Sequence, residues 1–113
     1  MELEIAKSKR LGESMKSKRS KACDIPTRVK KAVWERDKQH CIYCGSVRAM
    51  PNAHFISRAK GGLGIEENIV TLCQNCHYNF DMTDMREHYK EYIENYLKKK
   101  YPNWDKENLI YKR

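Results

Sequence analysis

Apolar positions are thin over the opening residues and become periodic further on. Residues 1–22 carry Lys7, Lys9, Arg10, Lys16, Lys18, Arg19 and Lys21 against Glu2, Glu4 and Glu13, with several serines and few large apolar side chains. Such a segment cannot bury enough surface to fold alone, so a disordered basic arm is expected over residues 1–24. It reads either as a solvated tail or as an arm that lies on nucleic-acid phosphates. From Ile25 the pattern changes, and residues 25–113 read as the folded domain. Pro26 suits a first helical turn, where its missing N–H costs nothing. Val29, Ala32 and Val33 recur at helical spacing beside Trp34, which predicts a helix over about 27–37. Lys30, Lys31, Arg36 and Lys38 are expected on its other faces, as a basic edge.

His40-Cys41-Ile42-Tyr43-Cys44-Gly45 then reads as a tight knuckle, with Gly45 free to take positive φ. Residues 48–56 have room for a short strand, interrupted by Pro51. Arg58-Ala59-Lys60-Gly61-Gly62-Leu63-Gly64 reads as a flexible basic loop. The β-rich run 69–72 predicts a second strand, forming a hairpin with the first, and Asn68 falls where the loop returns. A helix is expected to start near Cys73-x-x-Cys76 and to carry His77 and Asp81 on one face at i and i+4. Thr83 is expected to cap another helix, striped by Met85, Tyr89, Tyr92, Ile93, Tyr96 and Leu97. At helical spacing that stripe reads as core, with base stacking as the other use of its tyrosines. Lys98, Lys99 and Lys100 suit a helix C-terminus. Pro102 stops the helix, and Trp104-Asp105 reads as a turn into a last short element.

Length and charge sharpen this picture. The chain has 113 residues, is 40% apolar and carries a formal net charge of +8. That bounds it to one small domain whose core is marginal without a staple, and whose field favours a polyanion. Met1-Glu2-Leu3-Glu4-Ile5 has no apolar core of a signal peptide, and no apolar run approaches a membrane span. The expectation is therefore a cytoplasmic, reducing location without membrane contact, where paired CxxC motifs read as metal sites rather than disulfides. Cys41, Cys44, Cys73 and Cys76 make two C-x2-C pairs separated by 28 residues. That set suits one structural zinc ion, with no open coordination position for a substrate. Cys23 matches no ligand spacing and reads as a free thiol.

A second group is interleaved with the thiols. A neutral imidazole can take a proton from water near neutral pH, since its ordinary pKa is about 6.5. A second imidazole and a carboxylate one helical turn apart can hold a divalent ion with open positions. From spacing alone, His54 and His77 read equally as structural residues or as functional ones, and Asp81 as a surface carboxylate.

The composite Cys41-x-x-Cys44, His54, Gly61-Gly62, Asn68 and Leu72-Cys73-x-x-Cys76-His77 resembles the HNH endonucleases of the ββα-metal (His-Me finger) class. It is most similar to small bacteriophage-type members, and the likeness runs over about residues 25–112. The resemblance implies a small α+β fold: a ββα-metal core with embedded four-cysteine zinc knuckles, flanking helices and a C-terminal helical extension. It implies that His54 is the general base, that Asn68 braces the loop and orients it, and that His77 is the metal-binding histidine. Asp81 falls where another ligand is often placed. Arg58 lies where a cation could clamp the scissile phosphate, and Arg58, Lys60, Lys30 and Lys31 are the expected nucleic-acid contacts. Many members place Asp or His just before the base; here that residue is Ala53. Asp81, His40 or Asp84 could substitute as ligands.

The function so implied is metal-dependent cleavage of DNA phosphodiester bonds, by nicking or double-strand cutting, in a phage or mobile element within a bacterial host. The cofactors are structural Zn²⁺ and catalytic Mg²⁺, Mn²⁺ or another divalent ion. Two rival readings stand beside it. One is a non-catalytic zinc module that binds DNA or a partner protein. The other is a structural subunit of a phage packaging complex, partnered by a terminase or portal protein.

Overall fold

A computed structural model describes residues 17–112. The first sixteen residues of the expected arm lie outside the described residues. Where description begins, the chain is helical. Ser17 accepts a hydrogen bond from Ser20 N at 3.0 Å and caps α1, Lys18–Cys23. The basic arm thus ends in a helix rather than a tail. Helix α2, Thr27–Arg36, follows after Pro26 and buries Val29 and Val33 against Ile69.

Strands β1, Ala49–His54, and β2, Ile69–Cys73, form an antiparallel hairpin. The register runs Ala49↔Cys73 and Met50↔Leu72, slips, and resumes at Ala53↔Val70 and His54↔Ile69. The slip falls at Pro51, which has no N–H to give a ladder. All five β2 residues are buried, because α2 and the following helices cover both faces. Helix α3, Gln74–Met82, leaves β2 directly, with Cys73 as its cap. Helix α4, Arg86–Lys100, packs on it through Tyr89, Ile93 and Leu97, one residue per turn. Met85 and Tyr92 stand outside that buried stripe, 42% and 40% exposed. The knuckles, hairpin and α3 make the α+β, ββα arrangement that the motif implied.

Two expectations are corrected. Arg36 does not sit on a basic outer face. Its side chain is only 12% exposed and pairs with the buried Asp37 at 2.7 Å. It also donates to the carbonyls of Glu66 and Ile69, each at 2.8 Å. Asp37 in turn accepts from Tyr96 Oη at 2.6 Å and from Thr71 N at 2.9 Å. One carboxylate therefore ties α2, β2 and α4 together.

The loop over residues 58–64 is not loose either. After a tight turn at Arg58–Lys60, Gly61 takes φ 84°. Gly61, Gly62 and Gly64 are buried. A Cβ on Gly62 would overlap the Ile56 carbonyl, and one on Gly64 would overlap the Asp24 carbonyl. Gly64 N donates to Ala22 O at 3.0 Å, and Leu63 N to Leu109 O at 2.8 Å. The glycines allow close packing of three segments rather than motion.

Candidate functional site

The four thiols of Cys41, Cys44, Cys73 and Cys76 converge so that their sulfur atoms all lie within 4.8 Å of one another. Each knuckle is built by a backbone N–H folding back: Cys44 N approaches Cys41 Sγ at 3.5 Å, and Cys76 N approaches Cys73 Sγ at 3.4 Å. Gly45, at φ 81°, turns the chain out of the first knuckle. Cys44 Sγ and Cys73 Sγ stand 3.6 Å apart. A tetrahedron with Zn–S bonds of about 2.3 Å has S···S edges of about 3.8 Å, so the donor set fits zinc. Burial raises the Cys41 thiol, but the backbone N–H groups around it outweigh that and bring it down to about 7. Burial pushes the Cys76 thiol the other way, up, so the support for a metal here is the convergence of the four sulfur atoms. Tyr89 Oη lies 3.5 Å from Cys76 Sγ, so α4 supports the cluster from outside.

His54 ends β1, half-buried, and its Nε2 is 2.9 Å from the backbone carbonyl of Cys23. A carbonyl oxygen can only accept, so Nε2 carries the proton and Nδ1 keeps its lone pair. Burial lowers the basicity of His54, and the Cys23 carbonyl offsets part of this. Arg58 and His77 lie close enough to lower it further. The ring is held neutral, in one tautomer and oriented. Sequence reasoning missed Cys23 because its contribution is a backbone atom, which no residue type announces.

Asn68 is fully buried where the loop returns. Its Oδ1 accepts from Ile56 N at 2.8 Å, and its Nδ2 donates to Ile56 O at 3.1 Å and Leu63 O at 2.8 Å. It thereby fixes the backbone two residues past His54. Arg58 pairs with Asp24 at 2.9 Å, and about half of its side chain is open to solvent. Arg19 Nη2 donates to Ala59 O at 2.8 Å, so α1 also holds the turn that carries Arg58.

On α3, His77 Nε2 and Asp81 Oδ2 are 3.0 Å apart, as the i, i+4 spacing required. His77 lines a cavity of about 280 Å³ with Arg48, Ala49, Met50, Asn52, Leu72 and Gln74. Strand alternation puts Ala53 and Phe55 in the core and leaves Asn52 and His54 on the other, half-buried side. Lys30 and Lys31 flank a shallow trough with Trp34 that meets the His77 cavity at Ala49 and Met50. Lys60 is exposed beside Arg58. The other substitute ligands considered lie apart. His40 Nδ1 is 3.0 Å from Cys41 O and serves the first knuckle, and Asp84 is exposed beyond α3.

Among the described residues no helix is long and apolar enough to cross a membrane. Comparison with curated proteins gave no match. Comparison with family models matched residues 41–79 to one described as HNH endonuclease. That span takes in both knuckles, His54, Asn68 and the part of α3 that presents His77, and over it the chain is similar to the HNH endonuclease family.

Proposed function

We propose that the protein is a metal-dependent HNH endonuclease that hydrolyses DNA phosphodiester bonds with His54 as general base. The observation that carries this reading is the 2.9 Å contact between His54 Nε2 and the Cys23 carbonyl, which leaves Nδ1 as the proton acceptor. A depressed basicity keeps that acceptor neutral at physiological pH.

In the proposed reaction a water molecule gives its proton to His54 Nδ1 as its oxygen attacks phosphorus. The P–O bond to the 3′ oxygen breaks and the departing 3′ alkoxide takes a proton from solvent, giving 5′-phosphate and 3′-hydroxyl ends. Asn68 keeps the base in register by fixing Ile56. His77 and Asp81 would hold a divalent ion, Mg²⁺ or Mn²⁺. Once bound, such an ion supplies stabilisation for charge developing on the leaving oxygen. Arg58 can exchange its exposed pair with Asp24 for a phosphate oxygen, a stronger, bidentate partner. Lys60, Lys30 and Lys31 contribute salt-sensitive, sequence-independent affinity. The four-thiolate cluster holds zinc as an architectural ion only.

The test is nicking of supercoiled plasmid by metal-loaded protein. Cleavage is expected with Mg²⁺ or Mn²⁺ and not with EDTA. His54→Ala is expected to keep zinc and fold while losing cleavage by a factor on the order of 10² to 10⁴. Parent-like nicking by that variant would remove His54 as the base. Cleavage that no ion restores after chelation would leave a zinc-dependent binding module.

A further inference from the structure

The chain has two tryptophans, and the fold uses them differently. Trp104 Nε1 donates to Glu67 O at 2.8 Å and its ring makes a T-shaped contact with Phe55, so it is a packing residue. Trp34, on α2, is half-buried, and its indole N–H has no partner among the described residues. It lines a shallow trough of about 420 Å³ with Lys30 and Lys31 of its own helix and Met50 and Pro51 of β1. Met50 is 61% exposed there. Neither lysine has a carboxylate partner among the described residues, and nor has Arg48, which lines the His77 cavity. Trough and cavity share Ala49 and Met50, so they form one path along β1.

We propose that the trough takes one unpaired base of the DNA strand being cut, laid on Trp34, while Arg48 holds a phosphate of the same strand. This rests on the proposed nuclease reading and names its substrate class: DNA with an unpaired nucleotide beside the scissile bond, in preference to perfect duplex. The first argument is complementarity. An apolar trough with an indole in its wall and unpaired cations at its edge fits a ligand with a flat apolar face and negative charge close by. A nucleotide has both, and its base offers carbonyl and ring-nitrogen acceptors to the free indole N–H. The second argument is access. Inside a duplex both faces of a base are covered by its neighbours, so only an unpaired base can lie on an aromatic side chain. The third is position. The path leads from the trough to the cavity that His77 lines, so a strand seated on Trp34 passes the proposed ion site. Stacking on an indole tolerates any base, so the preference is for strand structure and not for sequence.

The test is binding of fluorescent oligonucleotides to full-length, zinc-loaded protein without Mg²⁺ or Mn²⁺, read by anisotropy. The probes are a thymidine oligonucleotide, an abasic oligonucleotide of the same length, which keeps the phosphates, and a blunt duplex. The parent is expected to bind the thymidine strand more tightly than the abasic one. Trp34→Ala is expected to weaken the thymidine strand by about tenfold, to abolish the difference from the abasic strand and to leave duplex binding unchanged. Arg48→Ala is expected to weaken both single strands alike, as loss of a phosphate contact does; parent-like binding would overturn its part. If Trp34→Ala binds every probe like the parent while the parent nicks plasmid, the stacking site is overturned and the nuclease reading stands; the trough then belongs to another occupant, such as a protein. If the parent neither binds these probes nor nicks plasmid, both readings fall. Zinc content and circular dichroism are the controls. Should Trp34→Ala lose its zinc or its fold, Trp34→Leu, which keeps apolar bulk without a ring, decides: loss of the preference for the thymidine strand supports the site and a parent-like preference overturns it.

Discussion

Replacing Asp37 with alanine tests how the domain is held. The carboxylate accepts from Arg36 Nε at 2.7 Å, Arg36 Nη2 at 3.0 Å, Tyr96 Oη at 2.6 Å and Thr71 N at 2.9 Å. Removing one member of a buried ion pair costs about 3–5 kcal/mol. Here the lower end applies, because Arg36 keeps the Glu66 and Ile69 carbonyls and stacks near Tyr96 and Tyr101. The Thr71 amide, in a fully buried strand, has nowhere else to donate, which adds about 1 kcal/mol or more. Tyr96 is half-exposed and can turn to water. The sum is about 4 kcal/mol, and a domain of this size loses roughly 4–8 °C of Tm per kcal/mol. Asp37→Ala is therefore expected to lower Tm by about 20 °C, and Asp37→Asn, which keeps the volume and two of the contacts, by about half as much. Urea and thermal unfolding by circular dichroism, with free zinc held fixed, measure this. A loss below about 1 kcal/mol for Asp37→Ala, at unchanged m-value, would refute the claim that this carboxylate joins α2, β2 and α4.

Further outcomes follow from the site. The acid limb of kcat/KM should have its midpoint below pH 6.5, because burial and the neighbouring Arg58 and His77 hold His54 neutral; activity is full above that midpoint and falls as pH drops through it. A midpoint at or above 6.5 would contradict the assignment. Cys76→Ser should lose the structural zinc, seen in metal content, and with it cooperative unfolding, since binding energy of such a site is folding energy. Gly62→Ala should cost on the order of 2 kcal/mol or more, because the new methyl meets the Ile56 carbonyl; a neutral result in urea unfolding would mean that the loop yields there.

The knuckles and the ββα unit were legible because each is local chemistry. Two thiols three residues apart need a turn, and His77 and Asp81 four apart share a helix face. The β2 run declared itself by its β-branched content, whereas β1, which has none, was placed by the room between the first knuckle and the glycine loop. What stayed hidden came from long-range pairing. Asp37 looked like the end of a helix and joins three elements. Arg36 looked like surface charge and is interior. Gly61, Gly62 and Gly64 read as slack, since a glycine that permits motion and one that permits contact have the same letter. Cys23 was set aside for its thiol, whereas the atom that matters belongs to its peptide bond.

The glycine loop between His54 and Asn68 is laced from both sides. Ala22, ahead of the hairpin, grips Gly64, and Leu109 and Tyr111, far beyond it, grip Leu63 and Gly61. Tension on either flanking stretch is thus delivered to the joint between the imidazole and its brace. A fusion partner or tether that tugs on one of them would shift the His54 ring against Asn68 while leaving the four thiols together.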